Sequence, residues 1–232
     1  MIAMKKGNIF ASKCDTIVNT VNCQGVMGSG IALEFKLRYP EMFEKYQELC
    51  KSKKIQIGKL WNYTAPSERF GFKHILNIPT KDNWKMPSKP EYVELALHKF
   101  VGTYKKSPYT SVAFPLLGAG RGGLDEKEII DMMYHYLADC DIDIEIWQFD
   151  AKAKDDLYAT LQQAIDTQPL ELLRQQIGLT EKTWDKIYQA TLLEKVNSIT
   201  AIGAQPGIGE KTLDKLIHFC APPQLRSNQT LF

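Results

Sequence analysis

The sequence contains no run of about 18 apolar residues, so it offers no segment that would cross a bilayer as a helix. Its first residues, Met1-Ile2-Ala3-Met4-Lys5-Lys6, lack the apolar core of a secretory signal, and export is not expected. Cysteine is scarce. Cys14, Cys23, Cys50, Cys140 and Cys220 are odd in number and scattered, and none are spaced as CxxC. This excludes an obvious zinc motif and suggests reduced thiols in a cytoplasmic protein. The four histidines (His74, His98, His135, His218) form no ligand pattern either, so no metal is expected. An excess of one charge is also missing: 29 basic against 27 acidic residues leave +2, too little to mark a nucleic-acid binder on its own.

The charge is unevenly spread, with 20 basic and 13 acidic side chains within residues 1–131. The stretch 139–150 holds five acids and no base, and 151–232 is balanced. A basic face near a ligand side is one reading of this, and a mixed solvated surface is the other. With 44% hydrophobic and 24% charged residues, 232 in all, the chain suits one medium domain plus a small one.

To about residue 150, strand-like and helix-like patterns alternate. Thr16–Val21 is a β-branched run that leads through Gly25, Gly28 and Gly30 into a helix marked by Ile31, Leu33, Phe35 and Leu37, which Pro40 stops. His74–Pro79 and Ser111–Leu117 read as buried strands, Tyr92–Val101 and Glu126–Leu137 as helices, and Ile142–Trp147 as a closing strand. Such alternation predicts helices covering a mixed, largely parallel sheet, with ligands at the carboxyl ends of the strands. After Asp150 only short helices are expected. There, 178–188 repeats as 207–217, with six of the eleven pairs identical. Two copies are too few for a solenoid and suit a paired helical module. The predicted division is 1–150, a linker at 151–164, the module at 165–221 and a tail at 222–232.

Two glycine loops sit at strand-to-helix junctions. The first is Asn22-Cys23-Gln24-Gly25-Val26-Met27-Gly28-Ser29-Gly30, and the second is Gly118-Ala119-Gly120-Arg121-Gly122-Gly123. Neither is a Walker A loop or a GxGxxG fingerprint. Each presents backbone N–H groups, and the first also a helix start, to an anion. Together they suggest one ligand with two phosphates; the alternative is that the glycines only make tight turns.

Val18-Asn19-Thr20-Val21-Asn22 running into Gly25–Ala32 resembles the ADP-ribose-binding loop of macrodomains, and Gly118–Leu124 resembles their diphosphate loop. Gly7-Asn8-Ile9-Phe10 stands where that family usually has Gly-Asp. The segment Asn77–Lys85 with Ser88-Lys89 is similar to one branch, the DarG-type DNA ADP-ribosyl glycohydrolases and terminal ADP-ribose protein glycohydrolases. The resemblance implies a three-layer α/β/α macrodomain with a mixed, largely parallel sheet; the small all-α module after it is read from the residues that follow Asp150. It implies that Asn8, Ile9, Asn19, Gly28, Ser29, Gly30, Ile31, Thr80, Leu117, Gly118, Ala119, Gly120, Arg121, Gly122 and Gly123 contact ADP-ribose. Lys81 matches the catalytic lysine of that branch, and Asn22 an active-site asparagine that would orient the ribose or the scissile bond. A bland reading of Asn22 is a turn cap. Asn8 keeps a carbonyl acceptor for the adenine amino group without the charge of the usual aspartate. Gly122 stands where protein-directed enzymes carry a catalytic aspartate. Asp125, three residues on, reads as a helix N-cap.

The implied activity is removal of ADP-ribose from a DNA base, with no cofactor and with ADP-ribosylated, single-stranded DNA as substrate. A cognate ADP-ribosyltransferase toxin is an expected partner, and a membrane is not. The rivals are hydrolysis of protein esters or small ADP-ribose derivatives, and a non-catalytic ADP-ribose reader. Trp84 beside Lys85 suits stacking on an unpaired base, or packing. Pro206–Thr212 is similar to a helix-hairpin-helix motif, in which Gly207, Gly209 and Lys211 would meet a DNA phosphate. The copy at 178–188 has Thr180 in place of the second glycine. The tail, polar until Leu231-Phe232, reads as a possible docking peptide.

Overall fold

A computed structural model describes residues 1–67 and 69–221; the tail, 222–232, lies outside the described residues. Six strands form one sheet: β1 (Ile2–Gly7), β2 (Thr16–Asn22), β3 (Trp61–Thr64), β4 (His74–Lys81), β5 (Ser111–Pro115) and β6 (Asp143–Phe149). Their order is β1-β6-β5-β2-β4-β3, and only β3 runs antiparallel to its neighbour.

Alternation along the strands sorts the apolar residues onto two faces. Ile17, Ile75 and Ala113 pack with α1 (Gly30–Arg38) and α2 (Pro40–Lys51), through Phe35, Tyr39, Met42 and Tyr46. Val18, Leu76, Val112 and Phe114 point the other way, toward α3 (Pro90–Thr103) and α4 (Glu126–Leu137), through Val93, Leu97, Phe100, Ile129 and Met133. The result is the three-layer α/β/α arrangement expected. Asp125 caps α4 as the sequence suggests, its carboxylate accepting from the Glu128 N–H at 3.0 Å.

Three elements were not legible in the sequence: β1, β3 and α2. β1 reads IAMKKG, where two lysines and a methionine occupy an edge position that needs no apolar run. The helix ending before Pro40 is followed at once by a second, because proline is well placed in a first turn. β4 extends through Lys81, so this lysine lies in the strand and not beyond it.

The expected linker at 151–164 instead holds most of α5 (Asp156–Thr167), capped by Asp155. With α6 (Leu170–Ile177), α7 (Glu181–Thr191), α8 (Ile199–Gly203) and α9 (Glu210–Cys220) it encloses one apolar cluster. Leu157, Leu161, Leu173, Ile187, Ile202 and Leu216 belong to it, and so does Leu37 of α1. No described helix is long and apolar enough to cross a membrane.

α1 therefore joins the two parts. Arg38 is buried, with its guanidinium on the Asp156 carboxylate at 2.6 and 3.1 Å and over the Phe10 ring at 4.1 Å. Asp155 and Glu34 lie near the same cation. Burial and the neighbouring Glu34 push the Asp155 carboxyl up to about 7, against the pull of Arg38. Removing the cation from such a set leaves desolvated acids without compensation. Arg38→Met should therefore lower unfolding free energy by about 3–5 kcal/mol in urea titrations. A change below about 1 kcal/mol would show that the cluster does not hold the two parts together.

Candidate functional site

Because β1, β6, β5, β2 and β4 are parallel, all their carboxyl ends meet one edge of the sheet. Along that edge the order is Asn8 after β1, Phe149 ending β6, the second glycine loop after β5, the first after β2, and Lys81 ending β4. At roughly 4.8 Å per strand, β1 and β4 stand about 19 Å apart.

The register of β2 against β4 slips by one residue between Val21 and Asn22, so that Asn22 pairs with Lys81. Such a bulge re-aims the side chains beyond it. The Lys81 ammonium donates to the Arg121 carbonyl at 2.5 Å, across the gap to the second loop. The two loops also meet each other. A side chain on Gly30 would lie 3.4 Å from the Arg121 side chain, and Gly30 has φ +58°. The first loop is tied down by the Cys23 N–H on the carbonyls of Lys81 and Asp82, and by the Tyr46 hydroxyl on the Asn22 carbonyl at 2.6 Å. α1 opens directly from this loop, with Ser29 as its N-cap and no side-chain bond to its first N–H groups. Those donors, with Gly28, Ser29 and Gly30 exposed, face an anion position.

A macro domain family model matches residues 18–133, half of the chain. The chain belongs to the macro domain family. The DNA ADP-ribosyl glycohydrolase of Mycobacterium tuberculosis is 43% identical over 129 residues, which are 56% of this chain and 36% of that protein. This chain thus spans little more than a third of that relative's length. The solved macrodomain of Mycobacterium tuberculosis DarG is 40% identical, with a TM-score of 0.61, covering 63% of this chain and 97% of the other. Thermosipho africanus DarTG in complex with ADP-ribose is 32% identical, with a TM-score of 0.59, covering 63% of this chain and 41% of the other.

Within this macrodomain, the expected site residues divide. Asn8, Ile9, Gly28, Ser29, Gly30, Ile31, Thr80, Lys81, Ala119, Gly120, Arg121 and Gly123 all belong to the strand ends and loops of the one edge. Asn19 does not reach it: at 0% exposure its amide donates to Asn77 Oδ1 at 2.9 Å inside the sheet. The Leu117 side chain is likewise part of the core facing α3 and α4. Both were expected to touch ligand; Asn19 is turned inward by its place in β2, and Leu117 by the turn that follows β5.

Asn22 is spent mostly on its own loop. Its side-chain Oδ1 accepts from the Gln24 and Val26 N–H groups, and its Nδ2 donates to the Val26 carbonyl at 2.6 Å. The turn-cap reading is what the geometry displays, and one amide hydrogen remains. Asn8 accepts from the Phe10 N–H at 3.0 Å, leaving its second lone pair. Cys23 is no nucleophile at neutral pH, since burial and the Asp82 carboxylate push its thiol up to about 11.

Phe149 was missed. It is 72% exposed at the end of β6 and pairs with Gly7, one residue before Asn8. Its signal was a large aromatic at a strand end where nothing requires burial. Trp84 is 47% exposed beside the lysine, with the Lys85 ammonium 5.3 Å from its ring. In the helical module, Gly207 (φ +78°) turns the chain and Gly209 caps α9, while Gly209 and Lys211 are exposed and Ile208 is buried. Thr180 caps the equivalent α7, accepting from the Thr183 N–H. Among the described residues no cluster of three His, Cys, Asp or Glu is placed to hold a metal ion.

The second loop leaves no room at one of its glycines. A Cβ on Gly122 would sit 2.0 Å from the Gly118 carbonyl oxygen, whereas one on Gly120 meets nothing within 4 Å. Gly122→Ala should cost about 1–3 kcal/mol by displacing the loop backbone, and Gly120→Ala should stay within about 0.5 kcal/mol of wild type. Chemical denaturation of the pair checks this; equal costs would mean that the loop yields freely.

Proposed function

We propose that this chain hydrolyses the bond between ADP-ribose and a DNA base. The observation that carries the reading is the order of groups along the sheet edge. A base acceptor (Asn8) and an exposed ring (Phe149) come first, two loops of backbone donors next, and a lysine at the far end. That is the order of adenine, diphosphate and distal ribose in ADP-ribose. The names of the mycobacterial relative and of the Thermosipho complex support both the activity and the ligand. The enclosed Gly122 supports DNA over a protein ester, because no carboxylate fits at that position of the loop.

In this reading the loops hold the diphosphate, and Asn22 shapes the first loop and orients the distal ribose. Lys81 acts on the anomeric carbon. Water adds its oxygen to that carbon, and the base leaves with the proton. Trp84 and Lys85 take the unpaired base or its neighbour, and single-stranded DNA is the form in which the base is accessible. The hairpin at Gly207–Lys211 adds a weak phosphate contact that fixes position without reading sequence. The activity belongs to the cytoplasm, beside a cognate ADP-ribosyltransferase.

Lys81→Ala should lose at least about a hundredfold in turnover of an ADP-ribosylated single-stranded oligonucleotide. Its affinity for ADP-ribose should stay within about tenfold, because the lysine serves the reacting carbon and not the diphosphate. Near-normal cleavage by the variant would end the assignment. Cleavage of ADP-ribosylated protein but not DNA would favour the ester reading, and binding without any cleavage a reader. For the hairpin, Gly209 has open space around it, so Gly209→Glu keeps the fold and sets a carboxylate against phosphate. Its apparent KM for modified DNA should rise at low salt and converge with wild type as salt increases; an unchanged KM at low salt would remove DNA from this module.

A further inference from the structure

Ser88 lies between β4 and α3, and it is 5% exposed. Its backbone N–H donates to the Gly122 carbonyl at 2.9 Å, one residue beyond the carbonyl that receives Lys81. Its hydroxyl is buried and has no hydrogen-bond partner. That oxygen is aimed into the ring formed by Gly118–Leu124, which the Leu124 N–H closes on the Gly118 carbonyl at 3.2 Å. A Cβ on Gly122 would fall 2.4 Å from Ser88 Oγ, and one on Gly118 would fall 3.3 Å from it. An unbonded buried hydroxyl destabilises the arrangement that contains it, and alanine would fill the same space without that cost. A serine here therefore favours another arrangement of the same loop, one in which an acceptor reaches Oγ.

We propose that Ser88 is a positioning residue for the ADP-ribosyl diphosphate. Its hydroxyl draws the Gly118 carbonyl toward itself, and this closes the second loop's backbone donors on the phosphates. The inference rests on the ADP-ribose reading above. Because the hydroxyl penalises the loop as described and is relieved on closure, it contributes to affinity through the loop and not by touching ligand.

The test is calorimetry with ADP-ribose on the full chain, paired with thermal unfolding in its absence. Ser88→Ala should bind about three- to tenfold more weakly, the worth of one neutral hydrogen bond, and should melt at the same temperature as wild type or higher. Ser88→Cys, similar in size with a weaker donor, should fall between the two. In turnover of modified DNA the loss should appear in KM and leave kcat within twofold. Equal affinity of wild type and Ser88→Ala overturns the inference alone. A lower melting temperature for Ser88→Ala also overturns it, since the hydroxyl would then be stabilising the loop as described. A wild-type chain that gives no binding heat with ADP-ribose overturns the reading of the site, and this inference with it.

Discussion

Parallel pairing is the constraint on which the site depends. Neighbouring parallel strands end on the same side, so five chain segments from distant parts of the sequence arrive at one edge in an order set by sheet topology. Residues 8, 22, 81, 120 and 149 become neighbours along that edge without any side chain having to bring them there. The crossovers needed between parallel strands supply the helices, and one of them, α1, opens from the first loop with its unpaired N–H groups. The side chains then add local corrections. The slip between Val21 and Asn22 aligns Asn22 with Lys81, and the lysine ties β4 to the second loop.

The second loop is defined more by what it excludes than by what it displays. Gly118 and Gly122 face inward against each other and against Ser88, while Gly120 and Arg121 face solvent. Four glycines in six residues serve different ends here. One keeps a carbonyl from colliding with a side chain, and another leaves the solvent side bare.

The fold was largely legible because its central strands are apolar on both faces, as in Ile17-Val18 and Ile75-Leu76, and such runs between helical patterns indicate a parallel sheet. Of the elements that escaped notice, β1 has lysines at the edge and β3 only four residues, while α2 begins at a proline that reads as a stop. At the site, the glycine loops and Lys81 stood out by composition and spacing. Asn19 was misplaced because a buried amide pair looks the same in sequence as an exposed ligand contact. It is the register with Asn77 on β4 that turns it inward. The exposure of Phe149 and the unpartnered hydroxyl of Ser88 exist only in three dimensions.

The far end of α1 is shared between the two parts of the chain. Leu37 is packed among residues of the five C-terminal helices, Arg38 is neutralised by Asp156, and Lys36 reaches Glu210. A chain cut near residue 150 would leave Leu37 and the Arg38 guanidinium without the partners that cover them. A graft of other helices after residue 150 would therefore need new side chains at these positions of α1 as well.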